Sequence, residues 1–569
     1  MLHTLFFTFS LFSFALPLVY AATADQWRGR SIYQCVYMTC SHFPNAPIDS
    51  SPCPLLESSS TDMLCLKELI LTNAHQAAVP GAVAPGTREY RDYFFYSLVE
   101  FPSLRENLDY IQDAGFTAVW ISPVSQNYEG PTTPYGDAYH GYWIADATKL
   151  NSHFGTSDDL KALSADLHRR GMYLMIDVVV NDVMATSTTP DLSTYMFKEQ
   201  SQYHPYCVID WSNDTSEEQC WLGDTVVPLP DINTEDPTVV SAFGDWIQSL
   251  VQEYDIDGLR IDAAKHVNID FWPVFCGKAG VFCIGEVFGS DVDDAARFQG
   301  PDSLDSILNY PMYDALVDAF TIPGTQNISA VADMIAQSKA KFKDPTLLGN
   351  FIENQDVPRW ANLSVDPQTL YNAMVFNFMT DGIPIVYYGQ EQGFSGNTDP
   401  YNREAMWPSK YANTTTYQLI TTLNQFRNFL VNNTQWATTP MELLTASPYG
   451  IATLKGDVVS IMTNIGSPPQ NISVPVYTPY GASTALTNIL TCQQWAVGSN
   501  GTIDGQYTLG GVPIILYPSD LLQNSGLCGN SDSTTGSSKY TSFAMPARRP
   551  ITSLLAVILS LLGFLFCFL

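Results

Sequence analysis

From Leu104 to Gln392 the apolar positions follow two alternating rhythms. Apolar residues three or four apart predict amphipathic helices, and short unbroken apolar runs predict strands buried on both faces. LRENLDYIQDAGF has helical spacing and stops at Gly115, and TAVWISPV follows it as a buried strand. DLKALSADLHRRG repeats the helix, with Gly171 placed to end it, before the strand MYLMIDVVV. The pair recurs as VSAFGDWIQSLVQEY then IDGLRID, and further strands are read in CIGEV, TLLGNFIEN and DGIPIVYYGQE. This is the pattern of βα units, an α/β fold whose parallel sheet is wrapped by helices. From about Asp182 to Asp231 the rhythm breaks into a polar, aromatic stretch carrying Cys207 and Cys220, read as a small insert between strand and helix. After about Ala437 it becomes short alternating strands, a separate all-β domain closed by Cys492 and Cys528, followed by a Ser/Thr/Gly-rich stalk.

Composition narrows the class. A length of 569 residues suits a large barrel plus a smaller domain, and 46% hydrophobic with 15% charged residues describes a folded protein. A net charge of −31 offers phosphate no basic face, which excludes nucleic acid and suits a neutral substrate such as a carbohydrate.

Both ends carry targeting patterns. The apolar run LFFTFSLFSFALPLVY before Ala21 and Ala22 predicts a signal peptide cleaved after Ala21. At the other end, GSSKYTSFAMPARRP precedes the apolar ITSLLAVILSLLGFLFCFL, the pattern of a glycosylphosphatidylinositol (GPI) signal with Gly536 as candidate attachment site. A single transmembrane helix is the alternative, but Arg548 and Arg549 lie before the tail, where a stop-transfer helix would have basic residues after it. A secreted, cell-surface protein follows, held on the plasma membrane or cell wall by its lipid. Seven glycosylation sequons, at Asn213, Asn327, Asn362, Asn413, Asn432, Asn471 and Asn500, fit that route. Of 11 cysteines, Cys567 lies in the tail, and the other ten are read as disulfide-forming. Cys207–Cys220 and Cys492–Cys528 are expected pairs, Cys35–Cys40 and Cys53–Cys65 further candidates, and the partners of Cys276 and Cys283 stay open.

The chain thus divides into a signal peptide (1–21), a barrel in two parts (22–181 and 233–436), an insert (182–232), a β domain (437–528), a stalk and spacer (529–550) and a tail (551–569). In barrels of this kind chemistry gathers at the carboxyl ends of the strands. Asp177 and Asn181 stand around the end of MYLMIDVVVN, Arg260 and Asp262 end GLRID, Glu286 ends CIGE, and Asp356 follows FIENQ. Acidic residues also cap helices in such loops, but capping does not explain four such sites in aromatic surroundings.

IDGLRIDAAKH, CIGEVF, FIENQD and DVVVND resemble the signature segments of the α-amylase family. The similarity continues through GDAYHGYW, HPYCVID, CWLGDTVVPLPDIN, NREAMW and LYPSDLLQNSGLC, and with the terminal signal it is similar to the GPI-anchored fungal branch, which includes cell-wall 4-α-glucanotransferases. The resemblance implies a TIM (β/α)8 barrel, an inserted calcium-binding domain, a C-terminal antiparallel β-sandwich, and retaining cleavage of α-glucan or maltooligosaccharides by a monomer. It implies Asp262 as nucleophile, Glu286 as general acid/base and Asp356 as the carboxylate that orients substrate and supports the transition state. Retaining chemistry needs the first two about 5–5.5 Å apart. Arg260, two residues before Asp262, is expected to hold it ionised.

The same resemblance places Tyr139, His140, Tyr142 and Trp143 at the reacting sugar, Lys265 and His266 on the leaving-group side, and Arg403 beside the sugar with Asp399 as its partner. Calcium would take oxygens from Asn181, Asp231 and the backbone carbonyls of Glu218 and His266. Several positions depart from the family. The first strand reads YQCVYMTCSHF instead of ending in Asp-Arg-Phe, a longer stretch fills about 43–100, and Asp182 and Gln355 stand where histidines are expected. Asp182 is expected to add negative charge near Glu286. These departures leave two alternatives to a transferase: a plain hydrolytic α-amylase, and an inactive surface module on the same fold.

Overall fold

Eight short strands, nearly all of them buried along their length, form the centre of the molecule. In chain order they are β1 (Ile32–Cys35), β2 (Ala118–Ile121), β3 (Tyr173–Val179), β4 (Gly258–Asp262), β5 (Phe282–Gly285), β6 (Ser306–Ile307), β7 (Gly349–Asn350) and β8 (Ile383–Tyr387). All neighbours are parallel, in the order β6-β5-β4-β3-β2-β1-β8-β7, and a parallel bridge between Leu308 and Gly349 spans the remaining gap. The result is a nearly closed α/β barrel. The computed structural model describes residues 22–35, 100–507 and 510–530. The signal peptide, nearly all of the 43–100 stretch, Cys40, Cys53, Cys65, Gly536 and the tail lie outside the described residues.

The helices begin where their caps dictate. Thr156 and Asp159 form a capping box at the start of Ser157–Arg169, and Asp236 with Pro237 opens Pro237–Tyr254. The helix read across 104–116 is instead two, Phe101–Glu106 and Leu108–Asp113. Asn107 divides them, its side-chain amide donating to the Ser103 carbonyl at 2.9 Å in competition with the backbone. Strands β1 and β6 were not among those read from the apolar pattern, and TLLGNFIEN yields only the two-residue β7.

The insert has little regular structure, one helix (Asp214–Gln219) and two 3-10 turns, and is cross-linked by Cys207–Cys220. Cys276 and Cys283, left open above, form a disulfide with each other between a helix and β5. Beyond the barrel lie eight strands: β9 (Glu442–Ser447), β10 (Gly450–Lys455), β11 (Val458–Thr463), β12 (Ser473–Tyr477), β13 (Ala485–Asn488), β14 (Gln494–Ala496), β15 (Thr502–Gln506) and β16 (Ile514–Pro518). Six form an antiparallel sheet, β9-β10-β11-β16-β13-β14, and β12 pairs with β15. Val474, Val476 and Ile503 of the pair share an apolar cluster with Val459, Ile461 and Leu516 of the sheet. The Cys492–Cys528 disulfide closes the domain.

A buried charge cluster docks this domain on the barrel. Lys455 of β10 reaches Asp381 just before β8 at 2.5 Å, and its ammonium also faces the Trp436 ring at 5.0 Å. Arg427 stacks on the same ring at 4.8 Å and donates to the carbonyls of Phe378, Arg28 and Gly382.

Candidate active site

Strand register sets the site. Asp177 of β3 lies opposite Arg260 of β4, and Ile261 lies opposite Gly285, so the next residues, Asp262 and Glu286, emerge level at the carboxyl end. Glu286 is held there by its own N–H, which donates to the Ile261 carbonyl at 2.8 Å.

Arg260 is the hub. Its side chain is fully buried, its Nη1 lies 3.0 and 2.9 Å from the two Asp177 oxygens and 2.7 Å from Asp262 Oδ1, and its Nη2 lies 2.9 Å from Glu286 Oε2. The Trp120 and Tyr142 rings face the guanidinium at 5.3 and 5.9 Å. Glu286 also accepts from the Ala263 N–H at 3.0 Å and from the Tyr310 hydroxyl at 3.3 Å. Asp356, beyond β7, is 3.5 Å from Arg403 Nη2, while Arg403 Nε pairs with Asp399 at 3.1 Å. Tyr139 donates to the same Asp399 oxygen at 2.7 Å. The three carboxylates, Arg260, Arg403, Asp399 and Tyr139 therefore converge as the sequence placed them.

One guanidinium serves several carboxyls. Burial pushes the Asp262 carboxyl well above its ordinary value; Arg260 opposes this, and Glu286, Asp177 and Asp182 add to it. Burial likewise raises Asp177 to about 7, against the pull of Arg260, and Asp356 to about 6, with Glu286 adding and Arg403 opposing. Asp182 is itself buried, raised to about 6, and accepts from the Asn181 amide at 3.2 Å.

The aromatic segment supports the cleft from the side. Burial and the neighbouring Arg403 lower His140 to about 3, so the imidazole is neutral. Its Nδ1 accepts from the Tyr142 N–H at 3.0 Å, which leaves the proton on Nε2, and Trp143 packs edge-on against the ring at 5.0 Å. Lys265 is engaged by Glu217 at 2.9 Å and Asp294 at 3.2 Å, so its ammonium ties the insert to the barrel. His266 bonds through Nδ1 to the Glu217 carbonyl at 2.9 Å, and the exposed Trp211 stands edge-on to it at 5.9 Å.

Three residues of the site escaped sequence reading. Gln34 of β1 donates to Gln355 at 2.5 Å, Tyr310 touches Glu286, and Asn354 donates to the Tyr310 hydroxyl at 3.0 Å. A glutamine inside the apolar run IYQC was the available signal for the first. The structure also separates the two acids of FIENQD. Glu353 is buried against Arg359 at 2.9 Å and the Trp360 N–H at 2.6 Å, while Asp356 faces the cleft.

Two of the expected calcium ligands, Asn181 and Asp231, lie side by side at the base of the insert. Asp182 and Asp231 form a backbone bridge, and the Ile232 N–H donates to the Asn181 carbonyl at 2.8 Å. Asn181 Oδ1 and Asp231 Oδ1 are buried oxygens without a hydrogen-bond donor, while Asp231 Oδ2 is taken by His204 at 2.5 Å. Two orphaned oxygens suit a hard cation. Among the described residues no group of three or more His, Cys, Asp or Glu could hold a metal, but the expected set uses one acid, one amide and two carbonyls.

Comparison with known proteins places this geometry. Residues 102–428 match the model of the alpha amylase catalytic domain, and residues 444–536 match alpha-amylase domain C. The chain is 43% identical over 439 residues to alpha-amylase 2 of Schwanniomyces occidentalis, covering 75% of this chain and 85% of that protein. It is 35% identical over 524 residues to alpha-amylase 2 of Schizosaccharomyces pombe, covering 90% and 83%. The solved alpha-amylase of Malbranchea cinnamomea superposes with a TM-score of 0.78 at 37% identity, over 89% of this chain and 100% of that one. The chain belongs to the α-amylase family. It is an α-1,4-glucan hydrolase of that family.

The charge cluster has a measurable cost. Because burial raises Asp356 from its ordinary 3.8 to about 6, the folded protein holds that proton more tightly than the unfolded chain. The carboxyl therefore costs stability as the pH rises from about 4 through 6. Asp356→Asn should raise the thermal midpoint above wild type at pH 8 and leave it nearly unchanged at pH 4. Equal midpoints at pH 8, by differential scanning fluorimetry, would show that the carboxyl is not strained by burial.

Proposed function

We propose that the protein cleaves α-1,4-glucosidic bonds with retention and passes much of the glycosyl group to a second glucan, as a surface-held 4-α-glucanotransferase of cell-wall α-glucan. The gathering of Asp262 and Glu286 on one buried guanidinium carries the reading. Asp262 attacks the anomeric carbon while Glu286 protonates the departing glycosidic oxygen, giving a covalent glycosyl-enzyme. Glu286, now a carboxylate, then takes a proton from water or from a sugar hydroxyl as that oxygen displaces Asp262. Asp356, with Arg403 beside it, orients sugar hydroxyls, and neutral His140 donates from Nε2.

Support for transfer lies in the two departures. Histidines donating to the reacting sugar would strengthen their bonds as charge develops. Here Asp182 is a buried acid, and Gln355 is enclosed by Gln34 and Tyr142. The sugar is held less tightly, water attacks slowly, and a docked glucan intercepts the intermediate. Pure maltooligosaccharides should yield products both longer and shorter than the starting sugar, and Asp182→His with Gln355→His should raise hydrolysis relative to transfer. Asp262→Asn and Glu286→Gln should yield neither product. Only shorter products at high substrate concentration would end the transferase reading.

Asn181, Asp231 and the carbonyls of Glu218 and His266 would hold calcium, whose charge would tie the insert to the barrel and fix the loop bearing His266. Chelation should lower the thermal midpoint by several degrees and added Ca²⁺ restore it. An unmoved midpoint in metal-free protein refutes the site.

A GPI anchor is supported by the small residues, polar spacer and apolar end after Gly529. Phosphatidylinositol-specific phospholipase should release the protein from membranes. A membrane form that still carries residues 551–569 would instead mark a spanning helix.

A further inference from the structure

Gln34 is a polar side chain in an otherwise apolar barrel strand, 1% exposed, and its Oε1 has no hydrogen-bond partner. A buried amide oxygen without a donor costs stability, so an apolar residue of the same shape would serve the strand better. Its other atom accounts for its presence. Gln34 Nε2 donates to Gln355 Oε1 at 2.5 Å, and Gln355 Nε2 donates to the Tyr142 hydroxyl at 3.3 Å. Tyr142 in turn donates to Asp177 Oδ2 at 2.9 Å, and Asp177 accepts from Arg260 Nη1, the nitrogen that also binds Asp262.

The directions in this ladder are interlocked. Tyr142 spends its one proton on Asp177, so its oxygen must accept from the amide facing it. Gln355 must therefore turn its NH₂ to Tyr142 and its oxygen to Gln34, which has to donate. Turned the other way, Gln355 would set its oxygen against a phenol oxygen with no proton to give. Gln355 is itself only 1% exposed, so it acts through Tyr142.

We propose that Gln34 is a positioning residue for the nucleophile. It fixes the orientation of Gln355, and through Tyr142, Asp177 and Arg260 it sets how the guanidinium is presented to Asp262. This rests on the reading of Asp262 as nucleophile.

The test is a mutant cycle on maltooligosaccharides. Gln34→Met keeps the shape and removes the donor. It should lower kcat about three- to tenfold, the worth of one neutral hydrogen bond, with KM within about twofold. Its thermal midpoint should stay close to wild type, since the loss of the Gln34 orphan oxygen offsets leaving Gln355 Oε1 without its donor. In a Tyr142→Phe background the same change should leave kcat where Tyr142→Phe put it. A merely structural residue would do the reverse, lowering the midpoint and sparing kcat. Gln34→Glu, which sets an acceptor against Gln355, should lose at least as much and serves if the Met variant does not fold. Wild-type kcat in either variant, or an equal loss in both backgrounds, overturns the ladder. Asp262→Asn measured alongside separates the two readings. Activity there refutes both, whereas an inactive Asp262→Asn with an indifferent Gln34→Met refutes the ladder alone.

Discussion

The site depends on one buried cation. Arg260 is enclosed by the barrel and touches Asp177, Asp262 and Glu286, which come from three adjacent strand ends. Removing one partner from a buried ion cluster costs about 3–5 kcal/mol, because the charge left behind has neither water nor counter-ion. The same cluster aligns the strands that carry it, so the charge arrangement for chemistry and the register of β3, β4 and β5 are a single constraint. The carboxyls it gathers cannot all be ionised comfortably, and the site holds its protons tightly.

The second constraint is attachment of the irregular parts. The insert has one short helix and could not bury a core of its own, so it is held by a disulfide and by polar links to the barrel. Lys265 reaches Glu217, and His266 reaches the carbonyl of the same residue. Both lie just after Asp262, so the insert and that carboxylate share a loop. The C-terminal domain has its own apolar core and needs less, and its Lys455 meets Asp381 at the opposite end of β8 from the site.

Much of this was legible along the chain. The alternation of helical and strand patterns identified a parallel α/β architecture, because burial on both faces leaves strands uniformly apolar. The acids at strand ends were legible too, since a charged residue closing an apolar run has few other reasons to be there. The shortest was not: β6 has two residues, too few for any period to register, and it exists because its neighbours supply the hydrogen bonds. Asn107 dividing a helix, and the pairing of Cys276 with Cys283, likewise depended on local geometry that spacing does not carry.

Residue type and order by themselves determined the family, the barrel with its appended β domain, and which carboxylates to watch. Each is a property of what a segment must bury or expose, and that is written locally. The tertiary structure decided what those residues do to one another. It showed that Glu353 is buried against Arg359 while Asp356 faces the cleft, and that Gln34, 321 positions from Gln355, meets it at 2.5 Å. Protonation and hydrogen-bond direction depend on distance and burial among residues far apart in sequence, and only closure of the barrel brings them within range.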